Sequence, residues 1–210
     1  MFKKYAKTLI ITSIITLSPI VVGLMLWDKL PDSIPMHFNT AGEVDGWGSK
    51  AAVVFYLPLF MVAISFLALF ATAADPKHKN INDKALSLAL WVIPAVSILC
   101  STMSYSAALG KEVNVNTVVP TFMGLMFIVI GNYLPKCKQS YTVGIKLPWT
   151  LNDTENWNST HRFSGWLWMV CGAVFAVSGL LNIPVLGIAA MIIMAAAPIV
   201  YSYLYYIKHK

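Results

Sequence analysis

Charge is what this chain has least of. Only 11% of its 210 residues are Asp, Glu, Lys or Arg, against 58% hydrophobic, where soluble domains carry about 25% charged residues. A soluble helical protein built around one large core is excluded by that balance, because several uncharged runs reach the ~20 residues that cross a bilayer. Three cysteines, Cys100, Cys137 and Cys171, are too few and too irregularly spaced for a disulfide framework or a thiolate metal site. Arginine occurs once, as Arg162. The net charge of +6 is spread over alternate loops, which argues for membrane orientation and against direct nucleic-acid binding. There is no internal repeat and no low-complexity segment.

Six apolar segments remain, at 8–27, 51–74, 85–109, 117–134, 165–181 and 185–207. Read as helices they give an all-α membrane protein with six transmembrane spans. The first follows Lys3, Lys4 and Lys7 as a signal peptide would. It runs on to Trp27 without a small-residue cleavage site, so it reads as an uncleaved helix. Six spans put both termini on one side. That side holds twelve of the Lys and Arg residues, while Lys29, Lys50 and Lys111 lie on the other, a net +8 against −2. The richer side is expected to be the cytoplasm, and the location a bacterial plasma membrane. No span carries Asp, Glu, Lys, Arg or His in its interior, which disfavours proton relays and ion-coupled pumps. The serines of the third span, Ser87, Ser97, Ser101, Ser104 and Ser106, suit close helix packing, or the lining of a passive pathway.

Two stretches are too polar to lie exposed in hydrocarbon. The first, 30–50, is expected to be an irregular, turn-rich extracytoplasmic loop, since it holds Pro31, Pro35, Gly42, Gly46 and Gly48. With the flanking spans it forms an N-terminal two-helix unit, 1–74. The second, 135–164, is expected to be a cytoplasmic loop within a four-helix unit, 75–210. Asn152 or Asp153 is placed to cap a short helix through Glu155 and Trp157. His37, Glu43 and Asp45 have no recurring ligand spacing, so no metal is assigned. His161 and Arg162 lie near Asp153 and Glu155 without a nucleophile in any recognisable arrangement, so no catalytic residue and no cofactor is assigned.

Together the two stretches resemble the SdpI-like family, bacterial membrane proteins named for immunity to a sporulation-delaying peptide toxin. Leu30-Pro31, Ile34-Pro35, His37, Asn39, Gly42, Asp45 and Ser49-Lys50 resemble the N-terminal domain of unknown function common in that family. Gly131-Asn132, Gly144-Ile145, Pro148-Trp149-Thr150-Leu151, Trp157 and Thr160-His161-Arg162 resemble its C-terminal signature. One departure is Lys146-Leu147, where the pattern has Arg-Thr; lysine keeps the charge without the planar fork of a bidentate anion contact.

The resemblance implies a non-enzymatic receptor that binds a secreted peptide toxin and protects the cell. It also implies capture of a cytoplasmic winged-helix repressor. Pro35, His37, Asn39, Gly42, Asp45 and Trp47 are then expected to form the peptide-binding surface outside. Asn132, Gly144, Pro148, Trp149, Thr150, Trp157, Thr160, His161 and Arg162 are expected to form the signalling surface inside. A transporter or flippase for a peptide or lipid-like substrate, using the serine-rich third span, is the alternative. An enzyme acting on headgroups through His161 and Arg162, or through His37, is a third reading.

Overall fold

The computed structural model describes residues 2–209. In chain order it contains α1 (Phe2–Met25), strands β1 (Ser33–Phe38) and β2 (Val44–Ser49), a π-helical turn (Ala52–Tyr56) and α2 (Leu57–Ala74). A 3-10 turn (His78–Asn80), α3 (Asp83–Ala108), α4 (Val115–Tyr133) and a second 3-10 turn (Leu134–Lys136) follow. The chain closes with a short α5 (Pro148–Asn152), α6 (Thr154–Leu180) and α7 (Pro184–Lys208). Among the described residues, six helices are long and apolar enough to cross a membrane. The multi-pass membrane architecture is as expected.

Burial along these helices is inverted relative to a soluble protein. On α7 the buried positions are Gly187, Ala190, Met194, Pro198 and Ser202, one face at helical spacing, while Val185, Ile192 and Ile199 are exposed. On α1 the buried face runs Tyr5, Leu9, Thr12, Thr16, Pro19 and Gly23, and Ile10, Ile14 and Val21 point outward. Small and hydroxylated residues inside, with large aliphatics outside, is the pattern of helices packed in lipid, where tails solvate the aliphatics and close backbone approach drives association.

The residues cluster into two compact units, Met1–Phe70 with Ser87–Val115, and Ala71–Leu86 with Asn116–Lys210. In the first, one of the third-span serines makes a helix contact. Ser97 is fully buried and its hydroxyl donates to the Thr16 carbonyl at 2.9 Å. Pro19 has no N–H for the Ile15 carbonyl one turn earlier, and the Ser18 hydroxyl donates to that carbonyl instead, at 2.8 Å. Tyr105 donates its hydroxyl to the Pro19 carbonyl at 3.2 Å, and with Leu30, Ile34, Val53 and Val54 forms a buried cluster. That cluster seats the segment following α1.

The second unit is held by glycines. Gly124 and Gly131 on α4, and Gly165, Gly172 and Gly179 on α6, recur two turns apart. A Cβ on Gly124 would lie 2.5 Å from the Ala176 nitrogen and the Gly172 carbonyl oxygen, and one on Gly131 would lie 2.8 Å from the Gly165 oxygen. The two backbones are therefore in direct contact along a seam, with Phe127 packing edge-on against Trp168 beside it.

Candidate functional site

Two places collect the polar residues singled out above, one in each unit.

The 30–50 stretch is a β-hairpin where an irregular loop was expected. β1 and β2 pair antiparallel, with Ile34 opposite Gly48, Pro35 opposite Trp47 and His37 opposite Gly46, and irregularities on either side of His37. The prolines and glycines that read as loop signals instead shape the pairing. Pro35 is buried. The hairpin glycines leave room for neighbours: a Cβ on Gly46 would lie 2.8 Å from His37 Cβ. Asn39 builds the turn, its side-chain oxygen accepting the Ala41 and Glu43 amides at 2.9 and 3.0 Å, while Gly42 takes φ 85°. Lys50 anchors the base through the Trp27 carbonyl at 3.0 Å, its ammonium 5.1 Å from the Trp27 ring centre.

Of the six expected contact residues, then, Pro35, Asn39 and Gly42 set the shape of the hairpin. His37, Asp45 and Trp47 are presented by it. His37 Nδ1 bonds the Asp45 carboxylate in the open, with 72% and 44% of their side chains exposed, and Trp47 is 60% exposed. An uncovered tryptophan beside an exposed polar pair is the composition of a binding hot spot.

In the second unit, residues 137–152 fold into a compact knot tied to α6, to α7 and to the segment after α2. The expected loop ends earlier than its polarity suggests: α6 starts at Thr154, with Asp153 capping it by accepting the Glu155 amide at 2.8 Å. Trp157, Thr160, His161 and Arg162 are therefore helical. Trp157, Thr160 and His161 are fully buried, as is Thr150.

Their partners explain why. The His161 ring accepts the Ile145 amide at Nε2, 2.9 Å away, and Nδ1 faces the Trp157 carbonyl at 2.8 Å. A carbonyl only accepts and an amide N–H only donates, so the ring is the neutral Nδ1–H tautomer with both nitrogens occupied. Trp157 stacks on it at 4.1 Å between centroids and donates its indole N–H to the Cys137 carbonyl at 2.8 Å. Gly144 passes over this pair at φ 120°, where an added Cβ would sit 2.6 Å from His161 Nε2 and 2.7 Å from the indole ring. Only glycine fits both the conformation and the space.

The Thr150 hydroxyl accepts the Leu147 amide at 2.9 Å, closing the turn into α5. Trp149 donates to the Ser202 hydroxyl at 2.9 Å, and Asn156 donates to the Ser202 carbonyl at 3.0 Å while its side-chain oxygen accepts from Thr160. Pro148, Arg162 and Asn132 are exposed and Trp149 half-buried.

The residue that organises the near end of this knot escaped the sequence reading. Asp75 directly follows the second apolar segment, 51–74, and it is buried. Its carboxylate accepts the Tyr141 and Thr142 amides at 2.8 and 3.0 Å, the Thr142 hydroxyl at 2.9 Å and the Lys77 amide at 2.7 Å. Gln139 continues the network, donating to the Thr150 and Leu151 carbonyls, both at 2.9 Å, and accepting from Lys77. No local signal links position 75 to 141, so the spacing concealed it.

Burial by itself pushes the Asp75 carboxyl up, and the four hydrogen bonds to its charged form outweigh that, leaving it below the ordinary 3.8. Because the folded value lies below the unfolded one, its stabilisation is present above about pH 4 and is lost as pH falls through the folded value. The protection of the Tyr141 and Thr142 amides, their exchange relative to an unfolded peptide at the same pH, is expected to be high at neutral pH and to fall only in that acid range. Asp75→Asn should give low protection without that acid-dependent fall.

Comparison with known proteins agrees with the resemblance read from the motifs. Residues 136–202 match the SdpI/YfhL protein family, and residues 14–62 match a domain of unknown function, DUF1648. The chain is 27% identical over 214 residues to the immunity protein SdpI of Bacillus subtilis (strain 168), an alignment that covers 96% of this chain and 97% of that one. No solved structure matches it. The first match contains the knot, from Lys136 to Ser202, the residue that receives Trp149 and Asn156; the second contains the whole hairpin.

Proposed function

We propose that this protein is a plasma-membrane immunity protein that binds a secreted antimicrobial peptide at the hairpin and protects the cell that makes it. The observation that carries the reading is the near end-to-end similarity to a protein named for immunity. The charge asymmetry of the sequence puts the hairpin outside, where a secreted peptide arrives. There His37, Asp45 and Trp47 form the contact surface, and Pro35, Asn39 and Gly42 hold it in shape. In the knot, half-buried Gly144 and buried Thr150, Trp157, Thr160 and His161 form the framework, and Asn132, Pro148, Trp149 and Arg162 face the cytoplasm and engage a winged-helix repressor.

The role is binding, not catalysis. Both nitrogens of His161 are spoken for by the backbone, and Ser97 is turned into a helix contact. Neither residue thus supports the headgroup enzyme or the serine-lined pathway in particular.

Direct binding tests the reading. Labelled sporulation-delaying peptide should bind the purified protein in micelles saturably. Trp47→Ala should weaken that binding by roughly thirtyfold or more, the loss expected of a hot-spot aromatic. The thermal midpoint should stay unchanged, since the side chain is mostly exposed. Equal affinity of parent and variant would remove the hairpin from the account.

A further inference from the structure

Among the described residues, a cleft at the edge of the knot concentrates charge. It has a volume of about 560 Å³ and is lined by residues 79–84, at the entry to α3, and by Tyr133, Lys136 and Lys138, at and beyond the end of α4; its charged residues are Lys79, Lys84, Lys136, Lys138 and Asp83. Four basic residues and one acidic residue line it. All four lysines are exposed.

The two walls are fixed to each other. Asn80 donates to the Gln139 carbonyl at 3.0 Å and Asn82 to the Lys136 carbonyl at 3.5 Å. The Lys136 ammonium lies 4.7 Å from the centre of the Tyr133 ring. The cleft is therefore formed before anything enters it, and entry costs little loop ordering. Its floor is the last turn of an apolar helix long enough to span a membrane, so it opens at the level where lipid phosphates lie. Tyrosine at that depth is an interfacial residue.

We propose that this cleft is a binding site for the phosphate of an anionic phospholipid headgroup. Lysine ammoniums are point-charge phosphate partners that need no bidentate geometry. A basic pocket at the cytoplasmic ends of transmembrane helices suits an acidic headgroup, with each lysine adding to the attraction. The site would tie the 79–84 link, and with it the Asp75 end of the knot, to the lipid surface. It is independent of the hairpin and of any toxin.

The test uses the full-length protein in neutral micelles, titrated with dioctanoyl phosphatidylglycerol and read by native mass spectrometry. One saturable lipid is expected, with dioctanoyl phosphatidylcholine failing to compete. Replacing Lys79, Lys84, Lys136 and Lys138 together by Gln should weaken binding by roughly a hundredfold. The same four changed to Arg should retain it, which also shows that the site tolerates substitution. A control with Lys3, Lys4, Lys7 and Lys208 changed to Gln removes equal charge elsewhere and should leave binding nearly intact. Equal weakening in the control, or loss in the Arg variant, would overturn the proposal. Displacement of the lipid by inorganic phosphate, or by a polyglutamate peptide, at comparable concentration would overturn it too, by assigning the cleft to a soluble anion or an acidic partner.

Discussion

Trp157→Ala is expected to destabilise the protein by about 3–5 kcal/mol, the range for deleting a fully buried large aromatic. The side chain is entirely buried, stacks on His161 and donates to the Cys137 carbonyl. Truncation leaves a cavity beneath Gly144 and an unpaired carbonyl, and removes the surface against which the Ile145–His161 hydrogen bond is aligned. The loss should be local before it is global. Limited proteolysis would cut within 137–152 while the helices remain intact, and the thermal midpoint in micelles would fall. Trp157→Phe keeps most of the buried area and forfeits the indole hydrogen bond, so it should cost only about 1–2 kcal/mol. If the two variants were equally stable, the stack would not be what holds the knot.

Gly172→Leu is expected to be at least as damaging, by the opposite mechanism. A Cβ at this position already lies 2.7 Å from the Gly124 carbonyl oxygen and 2.9 Å from the Ile128 nitrogen. These are backbone atoms of a facing helix and have no rotamer to yield. Overpacking a tight contact costs about 1–3 kcal/mol where side chains give way, and here α4 and α6 must separate along the whole seam. We expect a loss of about 3 kcal/mol or more, with the variant recovered at low yield. Val174→Leu adds volume to the exposed face of the same helix and should change nothing. Denaturation of the three proteins in mixed micelles distinguishes a seam from a general intolerance of bulk on α6.

The six helices were legible in the sequence because a membrane imposes its thickness on composition, and uncharged runs of the right length have few other uses. Their ends were less so. The fifth span was expected to begin at Gly165, yet α6 starts at Thr154, because Asn156, Thr160 and Ser164 are polar residues buried against protein, where hydropathy reads only solvent. The hairpin was misread as irregular for a related reason. Pro35, Gly46 and Gly48 are poor strand formers, but they sit where a buried proline and close cross-strand contacts are wanted.

The motif residues of the second unit stood out in the sequence, though the packing that joins several of them did not. Gly144, Trp157 and His161 stood out among the motif residues, and the structure brings them together, Trp157 stacked on His161 with Gly144 passing over the pair. Asp75, Gln139 and Ser202 complete the same assembly from distant positions. A sequence without its contact map offers nothing to connect them. Cys137 fits the same pattern: burial pushes its thiol up, so it stays protonated and its carbonyl, not its sulfur, matters to Trp157.

The measurement that tests the central claim most directly is survival of cells exposed to the purified sporulation-delaying peptide, with and without this protein expressed, at matched membrane abundance. The account predicts protection by the parent and its loss in Trp47→Ala and in the double variant His37→Ala, Asp45→Ala, both of which leave the buried framework untouched. Unprotected cells at full abundance of the parent would contradict the immunity reading. Full protection by both variants would contradict the hairpin as the place where the peptide binds.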